Sequence, residues 1–294
     1  MPHREGFACA GSWLMEQVKT VTHYPREDEH AAILHEQQRP GGSAYEMLSA
    51  LRALNADLPL YALGMLGEDE AGREILSACH KQEVDTFQLQ TNEAAPTAHA
   101  VVVQAQTNDS RTSFYFPGAN NLLSAEHFDF RYCLASWFHL SDCHLLEGLP
   151  QQDEAFGTVA GSVLQAARTA GLVTALTLTT CEKTAEVMPM LQALDYLIIN
   201  ERVLETLTGG SLRAEQLSLD NIRAAAASLL RDGAQSGLAI IFAEGAFASL
   251  CSGESAWLPF SQEMSANPRS AAAFSAGFLY SRYSGRMLEQ CLSV

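Results

Sequence analysis

Short apolar runs of strand character alternate with longer stretches of helical spacing along almost the whole chain, which restricts the fold to β-α-β units around a mostly parallel sheet. Residues 7–11 read as a first strand. Residues 42–53 put Ala44, Met47, Leu48 and Leu51 on one helical face, and 58–64 follow as a strand that enters a glycine-rich loop. A helix is predicted over 70–81. Strand and helix pairs follow at 137–140 with 158–169, 173–176 with 185–194, and 196–199 with 202–208; a helix over 221–232 precedes the strand 238–242. A last helix begins near Ser270.

Two segments break the rhythm. Residues 31–36 lie between charged stretches, and 98–105 lead through Thr107-Asn108-Asp109-Ser110 into 112–116, a hairpin with polar turn chemistry and β-branched or aromatic flanks. Strands near 30–36 and 98–116 are therefore expected to leave the core as a small lid or interface sheet. With no Pro/Gly/Ser linker and no repeat to divide it, the chain reads as one domain over 1–294.

Composition excludes several function classes. The 294 residues are 47% hydrophobic, enough for a globular core, yet no apolar run approaches the ~20 residues of a bilayer-spanning helix. Residues 1–6 lack the pattern of a secretory signal, so a cytoplasmic protein is expected. Seven cysteines without a C-x-x-C pair fit reduced thiols, and His30 and His35, five apart, do not form a metal motif. No metal site is expected from these residues. A net charge of -16 with only three lysines argues against a nucleic-acid partner.

Five motifs occur in a specific order: Pro40-Gly41-Gly42-Ser43-Ala44, the G-x-x-G-x-D-x-x-G loop from Gly64 to Gly72, Pro117-Gly118-Ala119-Asn120, Asn200-Glu201 with Leu207-Thr208-Gly209, and Ala273-Phe274-Ser275-Ala276-Gly277-Phe278. Together they resemble the ribokinase, or PfkB, family of carbohydrate kinases. The resemblance implies a three-layer α/β/α core with a mostly parallel sheet and a small β-strand lid. It also implies ATP and Mg²⁺ as cofactors, a sugar hydroxyl as acceptor at the carboxyl ends of the strands, and a homodimer formed through the lid.

The same resemblance marks where the chemistry departs. Gly41 and Gly42 match the sugar-side turn, but the sugar-binding aspartate corresponds to Glu16 and the sugar-binding asparagine to Glu46. An amide that donates and accepts has become an acceptor-only carboxylate. Asn200 is kept on the magnesium side, whereas the glutamate of that motif falls at Val203. Gly245 is the one approximately placed nucleotide-side glycine, and Glu244 beside it sets a negative charge near a polyphosphate. In the catalytic signature the two glycines of the anion hole fall at Arg269 and Ala271, flanking Ser270, and the general base falls at Ala272. Alanine accepts no proton, and general-base catalysis is worth ~10²- to 10⁴-fold.

The resemblance thus points to an ancestral ATP-dependent sugar kinase whose present chain binds a sugar-like small molecule or a partner without catalysis. The alternative is an active kinase in which Glu46, Glu16 or Glu263 serves as a displaced base.

Overall fold

The computed structural model describes residues 3–108, 110–209, 218–260 and 270–292. In chain order the elements are β1 (Phe7–Ala10), β2 (Leu14–Val21), β3 (Ile33–Gly41), α1 (Ser43–Leu54), β4 (Leu60–Gly67), α2 (Glu70–Lys81), β5 (Asp85–Asn92), β6 (Ala98–Ala105), β7 (Arg111–Phe116) and β8 (Trp137–Ser141). They continue with β9 (Gln152–Asp153), β10 (Gly157–Thr158), α3 (Val159–Thr169), β11 (Val173–Leu178), α4 (Thr184–Val187), β12 (Tyr196–Asn200), α5 (Glu201–Leu207) and α6 (Leu219–Asp232). The chain closes with β13 (Gly237–Ile241), β14 (Gly245–Leu250), β15 (Ser255–Pro259), α7 (Ser270–Tyr283) and α8 (Leu288–Leu292).

A nine-stranded sheet runs in the order β15-β14-β13-β12-β11-β8-β1-β4-β5, and only β14, near one edge, runs against the other strands. Its central strands are apolar on both faces, as helices on both sides require. Along β1, Phe7 and Cys9 pack on one face with α1, α2, α7 and α8, while Ala8 and Ala10 pack on the other with α3, α5 and α6. That is a three-layer α/β/α core, as the family resemblance implies, around the mostly parallel sheet that the alternation predicts.

The lid is a separate four-stranded sheet, β3-β2-β6-β7. Sequence pattern finds β3, β6 and β7 but misses β2. Its residues Glu16, Gln17, Lys19 and Thr20 hide the strand among polar side chains. The strands β5, β14 and β15 are also missed. The helix expected over 185–194 is shorter: α4 ends at Val187 and a 3-10 turn, Met188–Ala193, follows. Pro189 at its start has no N–H to continue the α-helical ladder.

The glycine loop between β4 and α2 has a local structural role. Asp69 caps α2 by accepting from Gly72 N (2.8 Å), and it also accepts from Thr97 N (2.7 Å) and Thr97 Oγ1 (2.6 Å) at the entry to β6. Behind the lid, Asn120 is buried and accepts from Trp13 N (3.2 Å), while its Nδ2 donates to Trp13 O (3.1 Å) and Tyr115 Oη (2.9 Å). The segment after the lid thereby ties β7 to the chain entering β2.

Candidate functional site

Strand order reverses at β1, whose neighbours are β4 on one side and β8 on the other, and open α/β sheets bind ligands outside the carboxyl ends of the strands at such a point. Three segments meet there. Gly11-Ser12-Trp13 leaves β1 for the lid, Asp142 follows β8, and α1 begins alongside. Ser43 N donates to Ser12 Oγ (3.0 Å), Ser12 N donates to Ser43 Oγ (3.1 Å) and Ala44 N donates to Ser12 O (3.3 Å), so this serine pair answers the first N–H groups of α1. Gly42 precedes the helix at φ 96°, and a Cβ there would stand 2.3 Å from Ser12 O. Only glycine tolerates both conditions. Gly41 approaches Glu16 so closely that a Cβ would lie 2.8 Å from its Cγ.

Between α1 and α7 the lid covers a cleft of about 410 Å³ lined by Arg39, Pro40, Tyr45, Glu46, Ala272 and Ala273, among others. Two positions 226 apart in sequence, Glu46 and Ala272, therefore face one space. The α7 wall offers methyl groups. Burial pushes the Glu46 carboxyl above the usual carboxylate range, and the negative charges of Glu16 and Asp142 push it further while Arg111 and Arg39 oppose them. The Glu46 carboxyl makes no hydrogen bond among the described residues, while its backbone N–H donates to Gly42 O (2.9 Å).

Glu16 stands on β2 directly opposite Arg39 on β3, and both of its oxygens are engaged. Oε2 accepts from Arg39 Nε (3.0 Å) and Nη2 (2.5 Å), and Oε1 accepts from Arg111 Nη2 (2.7 Å) of β7. Strand alternation puts Leu14, Glu16 and Val18 on the lid face that also carries Ala98, Ala100 and Val102, and these small residues let Arg111 reach across β6. Sequence reasoning placed Glu16 as a ligand for sugar hydroxyls. The structure places it in an Arg–Glu–Arg cluster that joins three lid strands.

At the carboxyl ends of β12 and β13, where the resemblance implies the nucleotide side, Asn200 caps α5 by accepting from Val203 N (3.0 Å) and donates through Nδ2 to Thr179 O (2.6 Å). Val203 is fully buried in the core. Glu201 is raised above its ordinary value by burial and then by the charges of Glu244 and Glu205, so the carboxylates that follow the neighbouring strands β12 and β13 act on each other electrostatically. Gly245 opens β14, where a Cβ would meet Leu258 O at 2.5 Å, so its part is close strand packing. Arg269 and Glu263 lie outside the described residues. Ser270 opens α7, its side chain also outside them, and Ala271 follows it half-buried.

Two features escaped the sequence reading. Asp142, buried after β8 at φ 44°, accepts through Oδ1 from Thr179 N (2.7 Å) and Thr179 Oγ1 (2.9 Å). Burial raises its pKa, and the left-handed backbone is one that aspartate tolerates better than most side chains. A carboxylate that ends an apolar parallel strand was the available signal. The second is a buried polar chain in which His139 Nε2 meets Thr177 Oγ1 (2.8 Å) and Thr177 Oγ1 meets Ser275 Oγ (3.1 Å), anchoring α7 to the sheet. Burial holds the His139 imidazole down to about 3, so it is neutral at pH 7.

Among the described residues no group of three or more His, Cys, Asp or Glu could hold a metal ion, and no helix is long and apolar enough to cross a membrane. No curated protein matches the sequence. Among solved structures the chain is similar to Arabidopsis thaliana ribokinase complexed with ribose and ATP, at 21% identity and TM-score 0.76, over 98% of this chain and 89% of that one. It is also similar to Thermotoga maritima ribokinase at 17% identity and TM-score 0.76, over 98% and 89%. Ribokinase from Cryptococcus neoformans var. grubii in complex with ADP follows at 18% identity and TM-score 0.73, over 98% and 90%. The sequence description of the pfkB family carbohydrate kinases matches residues 5–294, and the chain belongs to that family.

Proposed function

We propose that this chain binds a small hydroxylated ligand in the cleft between α1 and α7 and does not transfer phosphate to it. The observation that carries this reading is the α7 wall. Ala272, at the position of the family's general base, lines the cleft beside Glu46 and has no group that accepts a proton. The nucleotide side supports it. Asn200 is engaged in capping and Val203 is in the core, and the neighbouring Glu201 and Glu244 would repel a polyphosphate. These residues do not fit a magnesium-bound nucleotide. On its thiol content the protein is placed in a reducing compartment, the cytoplasm.

Calorimetry with MgATP and a phosphorylation assay over a panel of sugars test the proposal on the intact protein. The expected result is no phosphate transfer; turnover above ~1 s⁻¹ overturns it. A second reading is favoured by one observation: the Glu46 carboxyl makes no hydrogen bond among the described residues, Glu46 lines the cleft and its pKa is raised, the features of a displaced base. Under that reading Glu46→Gln abolishes turnover that the wild type displays.

We also propose a homodimer through the lid. Ile33, Leu34, Phe114 and Phe116 of the lid sheet leave 44% to 56% of their surface exposed, which supports an interface there. Light scattering on Phe114→Asp should report a monomer, and a monomeric wild type removes the proposal.

A further inference from the structure

We propose that the ligand of the α1–α7 cleft is a polyhydroxylated molecule bearing one anionic group, a carboxylate or a phosphate, received by the uncommitted N–H donors of Arg39 and Arg111. The inference rests on the reading of this cleft as the ligand site and adds the ligand's charge. Two guanidinium groups converge on one carboxylate. Arg39 gives Nε and Nη2 to Glu16 and Arg111 gives Nη2, which leaves Arg39 Nη1 and Arg111 Nε and Nη1 without a protein partner among the described residues. Arg39 lines the cleft, and Arg111 stands near enough for its charge to act on Glu46.

The charge of this wall is set by which groups can lose it. Guanidinium stays protonated at every accessible pH. Glu16 matches one of the two, being fully engaged by them. The charged groups that face Glu46 are Glu16 from β2, Arg39 from β3, Arg111 from β7 and Asp142 after β8, while α7 presents Ala272 and Ala273. Among the described residues Arg39 and Arg111 pair only with Glu16, and neither Glu46 nor Asp142 forms an ion pair with them, so the second guanidinium lacks a bonded counter-ion. A ligand anion supplies that counter-ion. Guanidinium presents its donors in a fork that matches carboxylate and phosphate oxygens. The carboxyl of Glu46 remains for hydroxyl groups of the ligand.

The test is calorimetry on the intact protein in magnesium-free buffer with matched probes: ribose, ribonate and ribose 5-phosphate, and glucose, gluconate and glucose 6-phosphate. In at least one set an anionic member should bind about tenfold or more tightly than its neutral parent, an interaction on the order of one pKa unit. The aldonate and phosphate arms identify which anion is recognised. Glu46→Gln removes a neighbouring carboxyl and should raise the preference for the anionic probe over its neutral parent about tenfold. Arg39→Lys keeps the charge and the fold but loses the fork, and should weaken the anionic probe about tenfold. Ala273→Trp fills the cleft and should remove all binding. Neutral probes that bind as tightly as their anionic partners, and are lost in Ala273→Trp, overturn the anion preference and leave the cleft reading intact. Anion binding that survives Ala273→Trp, or no binding by any probe, overturns both.

Discussion

Glu16→Gln should unfasten the lid while leaving the core sheet in place. The carboxylate is 8% exposed, and the side chains of its partners Arg39 and Arg111 are 24% and 28% exposed, so the cluster is neither a surface pair nor a fully buried one. Exposed pairs contribute about 0.2–1 kcal/mol, and removing one partner of a buried pair costs about 3–5 kcal/mol. Two contacts of intermediate burial then come to about 2–3 kcal/mol. Glutamine keeps the volume and one acceptor oxygen but leaves two guanidiniums close together without a counter-charge. All three residues lie on lid strands, so this energy is lost from local opening rather than from global unfolding. At 1.36 kcal/mol per decade, amide hydrogen exchange in β3 and β7 should accelerate by roughly 30- to 150-fold. Exchange in β11 and β12 should not change. The effect should survive added salt, because a cluster removed from solvent is screened little. Acceleration below about threefold in β3 and β7 refutes the energetic role of the cluster; equal acceleration in β11 and β12 refutes its confinement to the lid.

Glu46→Gln should stabilise the protein at pH 7: the folded pKa lies above the unfolded one, so the wild type loses stability as pH rises through that interval, and urea titrations of the two proteins should converge below about pH 4. His139 has the opposite dependence. Its folded pKa of about 3 lies below the unfolded value, so stability is full above about pH 6.5 and falls with pH; by pH 5 the loss is about 2 kcal/mol, and His139→Gln should flatten that slope in urea denaturation. Asp69→Ala removes the cap of α2 and both bonds to Thr97, which should cost about 2 kcal/mol at pH 7 by denaturant titration. Burial works against the ionised Asp69, but the Thr97 hydroxyl and the Gly72 and Thr97 N–H groups hold it below the usual carboxylate range. Its contribution is therefore present above about pH 4 and fades as pH falls through the lowered value, where mutant and wild type should approach each other.

The sequence by itself determined the layered core. The predicted helix over 70–81 coincides with α2 because its start carries a cap, Asp69, and its apolar residues recur at helical spacing. The strands 137–140, 173–176 and 196–199 were legible because burial on both faces makes them continuously apolar, and ordered glycine motifs marked the family. The lid strand β2 was not legible, since its alternation mixes polar and apolar residues on a face that only the neighbouring strands define. What each chemical group faces was decided by tertiary structure. Glu16 meets Arg39 across 23 residues and Arg111 across 95, and Ala272 shares a cleft with Glu46 from the far end of the chain. Period and propensity are local properties, readable within one turn or one strand. The charge state and partners of a buried side chain depend on strand register and on burial by distant segments, and those quantities exist only once the sheet and the lid have formed.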